Sequence, residues 1–160
     1  MDETQVWVHG EAWWLWVAFN PHSRAILRMG LSPTRSGLSA LLFLLRLRGG
    51  SGVRAVYTNG GVWYPWAAQQ ARLRHVLLDR TKRNPWERGL EAIRDPLRGF
   101  DAHFPCRCRG KGHVRAFLDL YRLWYNHVRD HLGLGRPPIP VSEGDEWQRF
   151  QNLFKEVILN

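Results

Sequence analysis

A run of eight apolar and aromatic residues near the N-terminus limits the folds open to this chain. Residues 12–19, AWWLWVAF, contain three of its nine tryptophans. Successive side chains of a β-strand point to opposite faces, so a strand of this composition has to be covered on both sides. The run therefore predicts a central strand with packing layers above and below it.

Short turns on either side of this strand predict a meander. Residues 5–8 alternate polar and apolar side chains and lead into a turn at 9–11. A second turn, at 20–23, precedes another strand pattern at 25–31. Strands joined by such short turns are antiparallel, because a parallel pair needs a long crossover.

The remaining chain predicts a crossover helix, two more strands and a helical second half. Ser36 is a candidate N-cap of the crossover helix, so the fourth strand should run parallel to its neighbour. The later elements are strands at 53–58 and 74–78 and helices at 36–50, 64–71, 84–94, 114–131 and 143–158. At 160 residues, one domain is expected.

The charge balance favours a polyanionic partner. The chain has 23 Lys and Arg against 14 Asp and Glu, a net charge of +9. Binding of such a surface to phosphates releases condensed counterions, which favours nucleic acid. The alternative is that the basic composition reflects the source genome or general solubility alone.

The sequence also argues against a membrane span, a secretion signal and a zinc site. The apolar run at 41–45 is too short to span a bilayer. The N-terminus lacks a secretion signal, so a cytoplasmic protein without a membrane partner is expected. Cys106 and Cys108, with His103 and His113, match no common zinc spacing, and the cysteines are predicted to be a reduced pair rather than metal ligands.

Three short motifs occur at the ends of the predicted elements. They are DET at residues 2–4, TNGG at 58–61 and RNPWER at 83–88. In this order they resemble the catalytic domains of DDE-type insertion-sequence transposases, and LWYN at 123–126 is similar to that family's last helix. The resemblance implies an α/β RNase H-like fold. Its five-stranded mixed sheet has three antiparallel strands first and is flanked by helices.

The resemblance also implies a metal site. By analogy Asp2, Asn59 and Glu87 hold two Mg²⁺ or Mn²⁺ ions for DNA cleavage and strand transfer. Asp2 is expected in the middle of the first strand and residue 59 at the end of the adjacent one. The family has Asp where this chain has Asn59, and an amide lacks the charge and the bridging capacity of a carboxylate. The sequence therefore predicts impaired activity.

Basic residues surround the predicted site. The candidate DNA contacts are Lys82, Arg83, Arg88 and Arg94 near Glu87, and Arg107, Arg109 and Lys111 in a second cluster. The resemblance implies transposon-end and target DNA as partners, a homodimer or larger assembly, and a nucleoid-associated prokaryotic protein. For any single cation, a solvated surface charge remains the alternative.

The predicted organisation is a catalytic domain at 1–138 with a C-terminal helical extension at 139–160 packed on it. Related transposases carry a helix-turn-helix segment before the catalytic domain, and its absence here predicts a fragment or a truncated gene product. Two other functions stay open. One is a catalytically inactive DNA-binding protein derived from a transposase, and the other is a different RNase H-like nuclease.

Overall fold

The structure is a computed structural model that describes residues 1–8, 10–78, 111–131 and 133–158. Its first three strands, β1 (Asp2–Val8), β2 (Glu11–Phe19) and β3 (Ile26–Ser32), form an antiparallel sheet in that order. This confirms the predicted meander. Strand β1 begins at Asp2 and not at Gln5, because Asp2 already faces Val17 in the β1–β2 register.

A helix and a two-stranded parallel sheet follow. Helix α1 (Gly37–Ser51) is capped by Ser36, whose hydroxyl accepts from the Ser39 amide, and it ends at Gly52, which has a φ of 62°. Strands β4 (Ala55–Thr58) and β5 (Arg74–Leu77) are parallel, and α2 (Tyr64–Gln70) connects them. The predicted helix, strand, helix and strand are confirmed within a few residues.

The predicted continuous five-stranded sheet is not confirmed, because the described strands form one sheet of three and one of two. The two sheets meet where β1 begins. There the Met1 nitrogen donates to the Tyr57 carbonyl of β4 at 2.6 Å. This contact brings the start of β1 beside the end of β4.

Two core layers lie on opposite faces of β2, as its composition predicts. Trp16 and Ala18 pack with α1 and α2 on one face. Leu15 and Val17 pack on the other face against α3 (Lys111–His127), which contributes four buried apolar residues. Those residues are Val114, Leu118, Tyr121 and Tyr125.

The last helix, α4 (Glu146–Ile158), packs against the end of α3. The buried Arg149 side chain donates through Nε to the Val128 carbonyl at 3.0 Å and forms an ion pair with Asp130 at 2.7 Å. No helix in the described ranges is long and apolar enough to cross a membrane. The helix predicted at 84–94 lies outside the described residues.

Candidate active site

Two of the three predicted site residues are in direct contact. Asp2 is the first residue of β1 and Asn59 follows the last residue of β4. The Asn59 Nδ2 donates to Asp2 Oδ1 at 2.7 Å, and the same carboxylate oxygen accepts from the Glu3 amide at 2.9 Å. Asp2 therefore lies at the start of its strand, which corrects the expected mid-strand position. The contact joins the start of β1 to the residue after β4, and these two strands belong to separate sheets.

The backbone after β4 holds Asn59 at this position. Thr58 is fully buried, and its Oγ1 lies 2.7 Å from His75 Nε2 on β5. Its carbonyl accepts from the Leu78 amide at 2.9 Å. Gly60 then turns the chain with a φ of 98°, a conformation that side-chain-bearing residues rarely adopt. Asn59 is thus fixed between a buried strand end and a glycine turn.

A buried acidic residue lies directly beside Asp2 and forms a second polar cluster. The Glu3 side chain is inaccessible to solvent, and its Oε1 forms an ion pair with Arg35 at 2.7 Å. Its Oε2 accepts a hydrogen bond from the Tyr64 hydroxyl. Burial raises the pKa of Glu3, and the bonds from Tyr64 and Arg35 oppose that shift. Burial, followed by the nearby Glu3 charge, raises the pKa of Tyr64. The tyrosine therefore stays protonated and donates.

Two indole rings flank the Arg35 guanidinium. Its central carbon lies 4.7 Å from the ring centre of Trp14 and 4.1 Å from that of Trp63. Cation–π contacts of this kind favour a charged group that is partly removed from water. Arg35 thereby connects β1, β2 and the residues before α2.

The sequence gives little sign of this Glu3 cluster. Strand alternation alone indicates that Asp2 and Glu3 point to opposite faces of β1. No periodicity joins Glu3 to Tyr64, which is 61 residues away, or to Arg35, which lies 32 residues away. Their proximity is a tertiary contact.

Most other predicted site residues lie outside the described part of the chain. This group comprises Lys82, Arg83, Glu87, Arg88, Arg94, His103, Cys106, Arg107, Cys108 and Arg109. Lys111 is the first residue of α3, with an undescribed side chain. Their site roles stay predictions.

Within the described ranges, no group of three or more His, Cys, Asp or Glu side chains is arranged to hold a metal ion. Asp2 and Asn59 supply one carboxylate and one amide, both oxygen ligands that Mg²⁺ accepts. Glu3 is already bound by Arg35 and Tyr64. In this geometry the Asn59 amide donates its N–H to Asp2, so the described residues by themselves do not form a metal site.

No protein-family model matches the sequence. An uncharacterized protein of Methanocaldococcus jannaschii is 25% identical over 130 residues, which cover 81% of this chain and 60% of that protein. The chain therefore spans less than two thirds of the length of this curated relative.

Solved structures share the fold. The catalytic core domain of BIV integrase has a TM-score of 0.60 at 15% identity. The match covers 97% of this chain and 95% of the BIV chain. The HTLV-2 integrase catalytic core domain in complex with magnesium has a TM-score of 0.61 at 13% identity. That match covers 92% of this chain and 91% of the HTLV-2 chain. A chain of the simian T-cell lymphotropic virus intasome in complex with the PP2A regulatory subunit B56 gamma has a TM-score of 0.66 at 15% identity. The match covers 92% of this chain and 51% of that chain.

These likenesses define the class of fold. The chain has the fold of integrase catalytic cores, which fits the predicted RNase H-like class. At 13–15% identity the likeness concerns the fold alone.

Proposed function

We propose that residues 1–138 form the catalytic domain of a DDE-type DNA transposase, with 139–160 as a helical extension packed on it. The reaction would be metal-dependent DNA strand cleavage and strand transfer at transposon ends and target DNA. The contact that carries the proposal is the 2.7 Å bond between Asn59 and Asp2. In an integrase-like fold, it joins side chains from two neighbouring strand ends, as the transposase resemblance requires.

Asp2, Asn59 and Glu87 would hold Mg²⁺ or Mn²⁺ in this proposal. The HTLV-2 integrase core was solved with magnesium, which supports the choice of metal. A bound divalent ion would stabilise charge on the reacting phosphate oxygens. The chain's own contribution is to position Asp2 and residue 59, through the Met1–Tyr57 contact and the buried Thr58.

Asn59 would weaken metal binding at this site. Its amide offers one neutral oxygen, while a carboxylate offers two oxygens and a full charge. In the observed geometry, the amide nitrogen and not the oxygen faces Asp2. Binding a cation between the two side chains would require the amide to rotate and exchange this hydrogen bond.

DNA would bind the basic residues around the site. Lys82, Arg83, Arg88 and Arg94 would contact the backbone near Glu87, and Arg107, Arg109 and Lys111 would form a second contact region. The +9 net charge supports a phosphate-led interface.

A catalytically inactive DNA-binding protein is the second candidate, and the same Asn59–Asp2 bond favours it. An N–H group that donates to Asp2 stabilises the carboxylate without a cation. The chain would then keep the fold and the basic surface of a transposase and act through DNA binding alone.

The Asn59→Asp variant separates the two candidates. Without metal, two carboxylates at this distance repel each other, so we expect the variant to melt at a lower temperature than wild type. Mg²⁺ or Mn²⁺ should raise its melting temperature more than that of wild type. Metal-dependent cleavage of labelled transposon-end DNA should increase, by roughly 100-fold if the restored charge acts as a typical electrostatic group.

The matched control is the double variant Asp2→Asn/Asn59→Asp, which has the same net charge as wild type. It should lose both the metal-induced stabilisation and the cleavage. Equal cleavage by wild type and Asn59→Asp would contradict impairment by Asn59. Absence of metal-dependent cleavage and stabilisation in Asn59→Asp, with DNA binding intact, would overturn the transposase proposal in favour of the second candidate.

A further inference from the structure

The segment from residue 12 to residue 78 is rich in arginine and free of acidic residues. It contains eight arginines, and all 14 Asp and Glu of the chain lie outside it. One of the eight, Arg35, is paired with the buried Glu3. Four others are exposed and lie where α1 ends and where β4 and β5 begin. We call these four residues the arginine edge: Arg48, Arg54, Arg72 and Arg74.

Two hydrogen bonds bring the arginine edge together. Arg48, in the last turn of α1, donates through Nη1 at 2.7 Å to the carbonyl of Ala71, the residue before Arg72. The Arg74 amide donates to the Arg54 carbonyl at 2.9 Å, which joins the starts of β4 and β5. Within the described part of the chain, no carboxylate forms an ion pair with any of the four. Their like charges repel one another, so a bound anion would relieve that repulsion.

The backbone of Arg72 adopts a conformation that favours glycine. Helix α2 ends in a Schellman motif, in which the Leu73 amide donates to the Ala68 carbonyl at 2.9 Å and the Arg72 amide to the Gln69 carbonyl at 3.0 Å. Arg72 occupies the left-handed position of this motif, with a φ of 54°. Glycine is usual there because a Cβ atom makes the conformation unfavourable. The fold therefore gives no reason for an arginine at this position, whereas a binding role does.

The arginine edge is separate from the candidate active site. Arg54 directly precedes β4, and Asn59 directly follows it. An extended chain of this length spans roughly 16 Å. The edge and the Asp2–Asn59 contact thus lie at opposite ends of β4, so an anion held at the edge is not in contact with Asp2 or Asn59.

The surroundings of the arginine edge favour phosphates over a protein segment. The exposed residues between and beside the arginines are small or uncharged: Gly49, Gly50, Ser51, Gly52, Gln69 and Gln70. No large apolar side chain is exposed at 48–54 or 69–74, whereas protein interfaces depend on buried aromatic and aliphatic anchors. A guanidinium binds phosphate through paired hydrogen bonds and stays charged. Duplex DNA, with a charge about every 1.7 Å along its axis, can neutralise several of the four at once.

We propose that the arginine edge binds the phosphate backbone of duplex DNA at a place separate from Asp2 and Asn59. Contacts to phosphates position a protein on a duplex and carry no sequence information, so this surface binds DNA without sequence preference. It adds a binding site to the DNA binding of the proposed function, and it requires neither a metal ion nor strand cleavage.

Arg72→Gly tests the arginine edge, because its effects on stability and on DNA binding should be opposite. Glycine suits the left-handed backbone, so the variant should melt at the wild-type temperature or above it. Fluorescence anisotropy with a labelled duplex, over a salt series, measures the slope of log binding constant against log salt concentration. That slope should become shallower by about 1, and equally for duplexes of unrelated sequence. Arg54→Gln/Arg74→Gln is a second variant and should make it shallower by about 2.

Arg24→Gly is the matched control, because Arg24 is also exposed, has a φ of 60° and loses the same charge. Arg24 lies near Tyr125 of α3, which packs on the face of β2 opposite α1 and α2. This variant should retain the wild-type slope.

Three results would overturn the proposal. The first is a wild-type slope in folded Arg72→Gly and Arg54→Gln/Arg74→Gln. The second is an equal change of slope in Arg24→Gly, which would mean that net charge alone matters. The third is displacement of the duplex by polyglutamate at equal charge concentration, which would indicate an acidic protein segment as the partner. A failure of the catalytic proposal is distinguishable, because Asn59→Asp would then show no cleavage while the Arg72→Gly effect persisted.

Discussion

Asn126 on α3 exchanges two hydrogen bonds with the backbone of Ile26, the first residue of β3. Its Oδ1 accepts from the Ile26 amide at 2.8 Å, and its Nδ2 donates to the Ile26 carbonyl at 2.9 Å. Both residues are buried. The amide thus replaces a neighbouring strand at this sheet edge and fixes α3 against β3.

Asn126→Ala should lower the free energy of unfolding by about 2–4 kcal/mol, because it leaves a buried donor and a buried acceptor without partners. Urea denaturation measures this loss. The control is Asn152→Ala, since Asn152 is only partly buried and donates to Ser142 Oγ at 3.0 Å. It should cost about 1 kcal/mol or less. Equal losses in the two variants would contradict the bridging role of Asn126.

The fold of the described residues is largely predictable because its strongest signals are local. The apolar run of β2, the turns beside it and the Ser36 cap specify elements through neighbouring residues. Helix boundaries are less predictable. The structure ends α3 at His127, before the predicted end at 131, because the Val128 and Arg129 amides both donate to the Trp124 carbonyl.

The candidate site is only partly predictable, because it combines local motifs with distant contacts. A motif resemblance suffices to place Asp2 beside Asn59. No pattern in the sequence indicates that Glu3 is buried and bonded to Arg35 and Tyr64. That cluster depends on how β1, the loop before α1 and the start of α2 pack, which pairwise spacing does not encode.

The Glu3–Arg35 pair should show energetic coupling in a double-mutant cycle. Arg35→Met removes the cation, so the solvent-inaccessible Glu3 carboxylate loses its ion-pair partner. In Glu3→Gln/Arg35→Met no buried charge remains. We expect the double variant to be more stable than the sum of the single losses predicts, by about 1–3 kcal/mol. Urea denaturation of the four proteins checks this. Additive losses would mean that Arg35 acts through its Trp14 and Trp63 contacts alone.

DNA affinity should fall steeply with salt if phosphates dominate the interface. The logarithm of the binding constant is expected to fall linearly with the logarithm of salt concentration, with a slope of about −0.9 for each phosphate neutralised. Arg107→Gln/Arg109→Gln should make that slope shallower by about 2 units. Fluorescence anisotropy with a labelled duplex measures both. Arg136→Gln, on the exposed loop after α3, should retain the wild-type slope. Binding that does not change with salt would contradict the proposed phosphate contacts.

His131 should make the protein less stable as the pH falls. Burial lowers the pKa of His131 below its ordinary value of 6.5, and the Arg129 and Arg24 charges act in the same direction, while the hydrogen bond with the Tyr125 carbonyl opposes the shift. Its ring stands edge-on to Tyr125, with centroids 4.3 Å apart, and its Nε2 lies 3.2 Å from the Tyr125 carbonyl. As the pH falls through about 6.5, the unfolded chain takes up a proton before the native chain does, so the free energy of unfolding decreases until the native pKa is passed. His131→Gln keeps a donor for the carbonyl and should show a shallower decrease between pH 7 and about pH 5 in urea denaturation. Comparison of the two proteins at pH 8 isolates any loss of packing. If His131→Gln showed the full wild-type pH dependence of the free energy of unfolding, His131 would not contribute to that dependence.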